Sequence, residues 1–105
     1  MNRVSGDTWV IKDQDEFWAS CACAKPVTDY VDAEHASVSI RWFFDVCYAN
    51  WKSGQFTVIF KCYDLPEYKH HVLSVEASQT DTGHWNFRVI KKITGNARPG
   101  VTVQH

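Results

Sequence analysis

One histidine and two carboxylates are predicted to share one face of a β-sheet. Alternate positions along four predicted strands place Asp45, Thr57, Glu76 and His84 in a single cross-strand row. Because adjacent strands lie about 4.8 Å apart, Glu76 is predicted beside His84, with Asp45 about 10 Å from Glu76. A histidine beside carboxylates is a common arrangement in sites of general acid–base catalysis.

A solvated sheet face with cross-strand ion pairs explains the same row without catalysis. Half-exposed antiparallel sheets routinely carry such pairs. The row supplies no nucleophile beyond Thr57 and no evident oxyanion donor. We therefore favour the ion-pair interpretation and keep Glu76, His84 and Asp45 as catalytic candidates only.

Four cysteines occur, and two of them are separated by a single residue. Cys21 and Cys23 lie in a predicted helix, where positions i and i+2 point in different directions. No second pair of cysteines or histidines stands at ligand spacing, and His70 and His71 point to opposite faces of a strand. We therefore expect reduced thiols, no metal site and no cofactor.

Length and charge narrow the class of protein. The chain has 105 residues, a formal net charge of −1 and 14% aromatic residues, which fits one folded domain over residues 1–105. The charge argues against a general nucleic-acid binder. The beginning of the chain is polar and its apolar runs are short, so we expect a cytoplasmic protein without a membrane segment. As a background expectation, short domains without motifs are frequent among accessory proteins of mobile elements.

The first third of the chain is predicted to be helical after a short strand or extended lead-in at residues 8–11. Asp13 stands at the N-cap position with Glu16 three residues later, which is the spacing of a capping box. Pro26 is predicted to end this helix, because the residue before a proline avoids the helical region. A second, short helix is predicted over residues 27–36.

Residues 37–51 decide the fold class, because their apolar pattern fits a helix or a strand. Their Val, Ile, Trp and Phe content favours a strand. Three further strands follow, with turns near Asp64–Glu67 and Thr80–Gly83, and residues 94–105 are predicted to form a loop or an edge-strand tail. The predicted core face of the four strands is a list of alternate residues: Val38, Ile40, Trp42, Phe44 and Val46, then Phe56, Val58, Phe60 and Cys62, then His71, Leu73, Val75 and Ala77, then Trp85, Phe87 and Val89.

These elements predict an α+β fold in which one or two N-terminal helices pack on a four- to five-stranded antiparallel meander. The layout resembles the helix-on-curved-sheet architecture of cystatin-like and NTF2-like proteins. The resemblance is one of layout only, and it implies no function.

The opposite face of the sheet is predicted to mix apolar and charged groups. Phe43, Ile59, Val72 and Ile90 are apolar there, and Arg41 and Arg88 are cationic neighbours. Apolar groups surrounded by charge are typical of a homodimer or another protein partner. We therefore expect a non-enzymatic interaction module that associates with itself, its arginines pairing with Asp45 and Glu76 of a second copy.

A pocket between the helix and a curved sheet is the alternative hypothesis, which makes the protein a small-ligand-binding or hydrolytic domain. Its lining would be mostly aromatic: Trp18, Tyr30, Trp42, Phe60, His71 and Trp85. Protein interiors are densely packed, so we favour a filled core.

Overall fold

The computed structural model describes residues 1–37, 40–62 and 71–93. Their elements, in chain order, are β1 (Asn2–Ser5), β2 (Thr8–Ile11), α1 (Gln14–Ser20), α2 (Ala24–Glu34), β3 (Trp42–Asn50), β4 (Gln55–Cys62), β5 (Val72–Gln79) and β6 (Trp85–Ile93). The strands form one antiparallel sheet in the order β1-β2-β3-β4-β5-β6. The predicted α+β class is confirmed, and this described sheet has six strands rather than four or five.

A break separates α1 from α2 at residues 21–23, where a single helix was predicted to continue. The side chain of Asp13 accepts a hydrogen bond from the Glu16 backbone N–H at 3.0 Å, which confirms the N-cap of α1. The helix ends at Cys21, whose backbone is extended. The prediction that Pro26 ends a helix is wrong, because Pro26 lies in the first turn of α2, where backbone N–H groups have no intrahelical partner.

Residues 42–50 form a strand, as the choice of strand over helix predicted. The register between β4 and β5 also follows the prediction, since Thr57 lies opposite Glu76 and Ile59 lies opposite Ser74. Alternation is regular in β4, where every second side chain is buried. Both strands lie inside the sheet, with a neighbouring strand on each side.

A β-bulge in β3 changes which residues reach the core. The register shifts between Phe44 and Val46, so Trp42 is buried before the bulge, whereas Cys47 and Ala49 are buried after it. Val46 was predicted to face the core, and this prediction is wrong: Val46 lies opposite Ile59 and is only half-buried.

The hairpin between β5 and β6 is longer than predicted. The Thr80 N–H donates to the His84 carbonyl at 2.7 Å, and Gly83 adopts a φ of 88°, which favours glycine. The strands therefore meet at Gln79 and Trp85, and Glu76 lies opposite Arg88. The prediction that Glu76 neighbours His84 is wrong because the five-residue loop moves β6 along β5.

Both helices cover the same face of the sheet, which is the inner face. The Phe17 and Phe44 rings stack with centroids 4.4 Å apart, and the Trp42 indole N–H donates to the His35 carbonyl at 3.1 Å. Buried side chains from α1, α2 and β2–β5 form one core. Val38, the predicted turn at Asp64–Glu67 and the predicted tail at 94–105 lie outside the described residues.

Candidate functional site

The outer face of the sheet, turned away from α1 and α2, carries a diagonal line of apolar side chains. Cross-strand pairing places Val10 opposite Tyr48, and Val46 follows two positions away on β3. Val46 lies opposite Ile59 on β4. Ile59 is a diagonal neighbour of Val72 on β5, and Val72 lies opposite Ile93 on β6. We call the following residues the outer band: Val10, Val46, Tyr48, Ile59, Val72 and Ile93.

Water reaches this outer band and its surroundings. Tyr48 is 39% exposed, and the other five members of the band are half-buried. Phe43, which lies opposite Lys61, is 42% exposed, and Ile90 at the bulge of β6 is 51% exposed. Phe43 and Ile90, both predicted on this face, are therefore accessible to solvent beside the outer band.

Two ion pairs within the chain lie on the outer face. One guanidinium nitrogen of Arg88 donates to both carboxylate oxygens of Glu76, at 3.2 and 3.3 Å. The Lys61 ammonium lies 3.3 Å from Asp45. Glu76 and Asp45 were expected to pair with arginines of a second copy, but each already has a partner in its own chain. Arg41 is exposed just before β3 begins.

The three catalytic candidates do not form one constellation. His84 lies in the β5–β6 loop, four residues before Arg88, which separates it from the Glu76 row by about 13 Å. Asp45 lies at the β3 bulge, three positions before Tyr48 and two strands away from Glu76. The distance from Asp45 to Glu76 is therefore about 14 Å rather than 10 Å.

The six residues predicted to line a pocket occupy different environments. Trp42, Phe60 and His71 are buried, whereas Trp18 is 44% exposed on α1. Tyr30 and Trp85 are half-buried. Tyr30 stacks on Phe87 with ring centroids 4.7 Å apart, and Trp85 lies 6.0 Å from the ring of Phe56.

A cavity of about 360 Å³ lies elsewhere, at the beginning of the chain. None of the predicted pocket residues lines this cavity, whose walls are Met1, Asn2, Val10, Lys12, Asp13 and Glu16. Among the described residues, no three His, Cys, Asp or Glu side chains are placed to hold a metal ion.

A polar cluster at the end of α2 was missed by sequence reasoning. The Lys92 ammonium lies 3.2 Å from His35 Nδ1, and Tyr30 Oη lies 3.2 Å from His35 Nε2. An ammonium group only donates, so Nδ1 accepts and the neutral ring donates from Nε2 to Tyr30. Burial, and then the charge of Lys92, lower the pKa of His35 despite the opposing effect of Glu34.

This lowered pKa predicts a pH-dependent stability. The unfolded chain binds a proton on His35 more readily than the folded chain, so stability is complete above about pH 6.5 and falls as the pH decreases towards the folded-state pKa. Urea unfolding between pH 7.5 and pH 5 is expected to show this loss, and His35→Gln is expected to reduce it. His84→Gln, in an exposed loop, is the control. Equal pH profiles for wild type and His35→Gln contradict the assignment.

Four members of the outer band were absent from the predicted interface. Val46 and Tyr48 were missed because no residue type marks the β3 bulge. Val10 was missed because residues 8–11 were not placed in the predicted sheet. Ile93 was missed because the register of β6 was wrong. The predicted interface residues Phe43, Ile59, Val72 and Ile90 nevertheless all lie on or beside the band.

Comparisons with known proteins leave the outer face to be interpreted from its own residues. Across the described ranges, no helix has the length and apolar character needed to cross a bilayer. No family model matches this chain, and neither a curated protein nor a solved structure matches it significantly.

Proposed function

We propose that this protein is a non-enzymatic interaction module that associates with a second copy of itself through the outer face of its sheet. The observation that carries the proposal is the outer band, which crosses β2–β6 and stays accessible while both helices cover the inner face. A continuous apolar line on the wet side of an antiparallel sheet departs from the usual polar outward face.

The size of the face suits a protein partner. Four long strands, each of eight or nine residues, present a projected area of roughly 500 Å² at the usual strand spacing and rise. Side-chain relief and the two short strands enlarge the accessible area. The result approaches the ~800 Å² per partner of a standard interface.

The edges of the described sheet suit association less well. β6 carries three cationic side chains, Arg88, Lys91 and Lys92, and like charges on an edge oppose pairing with a second copy. At the other edge, β1 has four residues and is exposed throughout. Face-to-face packing is therefore favoured over continuation of the sheet.

The ion pairs of the outer face fit a two-fold arrangement. A two-fold axis brings the same patch of both copies together, so an unpaired charge near the axis would face the same charge of the second copy. Because Glu76 is paired with Arg88 and Asp45 with Lys61 in the same chain, these charges enter the interface with their partners. This arrangement lowers the cost of desolvation without an exchange of partners between copies.

Sedimentation equilibrium tests the proposal. Wild type is expected to dimerise, and Ile90→Glu and Tyr48→Glu are each expected to weaken the dimer at least tenfold, because a charge is placed in the apolar contact. Both side chains are exposed, Tyr48 to 39% and Ile90 to 51%, so the fold is expected to persist in circular dichroism.

Trp18→Glu is the matched control, since Trp18 is exposed on α1, on the other side of the sheet. Dissociation by Trp18→Glu but not by the outer-face variants contradicts the proposed face. A wild type that stays monomeric at millimolar concentration contradicts self-association. A monomer strongly stabilised by one compound from a metabolite library supports the alternative, a ligand-binding or hydrolytic domain of cystatin- or NTF2-like layout.

A further inference from the structure

Three of the four cysteines converge where α1 meets the sheet. Stacking of Phe17 on Phe44 sets α1 over β3. Cys21 follows Phe17 by one helical turn, its N–H donating to the Phe17 carbonyl at 3.0 Å. Cys47 follows Phe44 by three positions and faces the core after the bulge. Cys23 closes the turn between the helices, immediately before α2.

Cys23 and Cys47 lie beside Cys21, and interaction with their thiols lowers the pKa of Cys21 well below that of an ordinary thiol, against the effect of burial. The same interactions and burial raise the pKa of Cys23 and of Cys47. Cys21 is therefore the thiol of the cluster that loses its proton most readily.

We propose that this thiol cluster is a site of reversible oxidation, in which a hydroperoxide oxidises Cys21 and the sulfur of Cys47 closes a disulfide with it. Cys21 is 3% exposed, whereas Cys23 and Cys47 are fully buried. Cys21 is thus the most exposed residue of the three and also the one whose pKa is lowered. The inference is independent of the proposed self-association.

The reaction balances with the hydroperoxide as the oxidant. The Cys21 thiolate attacks the terminal peroxide oxygen, the O–O bond breaks, and Cys21 becomes a sulfenic acid while an alkoxide or hydroxide leaves. The sulfur of Cys47 then attacks the Cys21 sulfur, an S–S bond forms, and the sulfenic hydroxyl leaves as water with the Cys47 proton. Two thiols lose two electrons, and the peroxide gains them.

Cys47 suits the second step better than Cys23. The turn that holds Cys21 and Cys23 is closed by the Ala24 N–H donating to the Cys21 carbonyl at 3.1 Å, and Cys23 is fixed by the Val27 N–H bond to its carbonyl at 2.8 Å. A disulfide requires a Cβ–S–S–Cβ dihedral near 90°. Cys47 approaches Cys21 from the sheet, across the helix–sheet interface, where two separate elements are free to adjust.

Cys62 provides an internal control. It is fully buried, as Cys47 is, but it lies four positions along β4 from Val58, the residue opposite Cys47. This separation is about 13 Å, which is too far for a disulfide between Cys47 and Cys62. If burial alone decided reactivity, Cys47 and Cys62 would be oxidised to the same extent. The cluster predicts instead that Cys47, and not Cys62, forms a disulfide with Cys21.

Peptide mapping after treatment with hydrogen peroxide tests the proposal on the wild-type chain. Trypsin leaves Cys21 and Cys23 together in peptide 13–41, since the Lys25–Pro26 bond resists cleavage, and it places Cys47 in peptide 42–52. The expected product is a 13–41/42–52 cross-link from protein that runs as a monomer on a non-reducing gel. Its formation is expected to raise Tm by about 5 °C or more, because it closes a long loop, and dithiothreitol is expected to reverse both changes.

Two variants complete the experiment. Cys47→Ala is expected to abolish the cross-link and leave Cys21 as a trappable sulfenic acid, whereas Cys62→Ala is expected to form the cross-link at the wild-type rate. A mass decrease of 2 Da in peptide 13–41 without a cross-link indicates a disulfide between Cys21 and Cys23, and this result overturns the choice of Cys47. No reaction, or faster oxidation of Cys62 than of Cys21, overturns the site. The wild-type map decides the question even if Cys47→Ala fails to fold.

Discussion

Phe17→Ala is expected to lower the free energy of unfolding by about 3–5 kcal/mol, the usual cost of truncating a buried phenylalanine. Phe17 is fully buried, and its ring stacks on Phe44 with centroids 4.4 Å apart. It is also the buried residue of α1, a helix of seven residues. A helix this short gains little stability from its own hydrogen bonds, so its position depends on this contact.

A loss of this size is a large fraction of the ~5–15 kcal/mol stability of an ordinary domain. Urea unfolding followed by tryptophan fluorescence measures it, and a shift of the midpoint to much lower urea is the expected result. Phe17→Leu is the matched control, for which a loss of only about 1 kcal/mol is expected because most of the volume is retained. Equal effects of the two substitutions contradict a close contact between Phe17 and Phe44.

Trp42→Ala is expected to cost a similar ~3–5 kcal/mol, because Trp42 joins the two layers of the fold. Its side chain is 6% exposed, and its indole N–H donates to the carbonyl of His35, the C-cap residue of α2. The substitution therefore removes a large buried ring and leaves a helix-terminal carbonyl without this donor. Loss of α2 packing should accompany the loss of stability.

Trp18→Ala provides a control of the same chemical change at an exposed site. Trp18 is 44% exposed, so a change within about 0.5 kcal/mol is expected. Trp42→Phe separates the two contributions, since it keeps an aromatic ring but removes the indole donor; a loss of about 1–3 kcal/mol is expected. A wild-type stability for Trp42→Ala is incompatible with the described packing of α2.

Patterns that repeat along a strand were predictable from the sequence. Apolar residues at every second position of β4 and β5 predicted both their inner face and their mutual register, including the Thr57–Glu76 pair. The N-cap at Asp13 was predictable because its side chain acts on a backbone N–H three residues away. Local chemistry and two-residue periodicity carry this information without knowledge of the rest of the chain.

Features that depend on one irregular residue were not predictable in the same way. The bulge after Phe44 changes the register without a glycine or another marker, so Val46 was assigned to the wrong face. The loop from Thr80 to His84 moved Glu76 opposite Arg88. In both places an error of a few positions left the fold class intact and rearranged the candidate site, since site chemistry depends on which residues are neighbours.

The order of the strands has a consequence for how the chain reaches this fold. Each described strand pairs with its neighbour in sequence, and the helices are inserted between β2 and β3, where Ile11 pairs with Cys47. Most native contacts of the sheet therefore join segments that are close along the chain, and such topologies have low contact order and fold quickly for β-proteins. The β3–β6 meander is able to form first and to present the surface on which α1 and α2 condense. We expect the β1–β2 hairpin to join β3 last, because the pairing of β2 with β3 closes the longest connection between neighbouring strands.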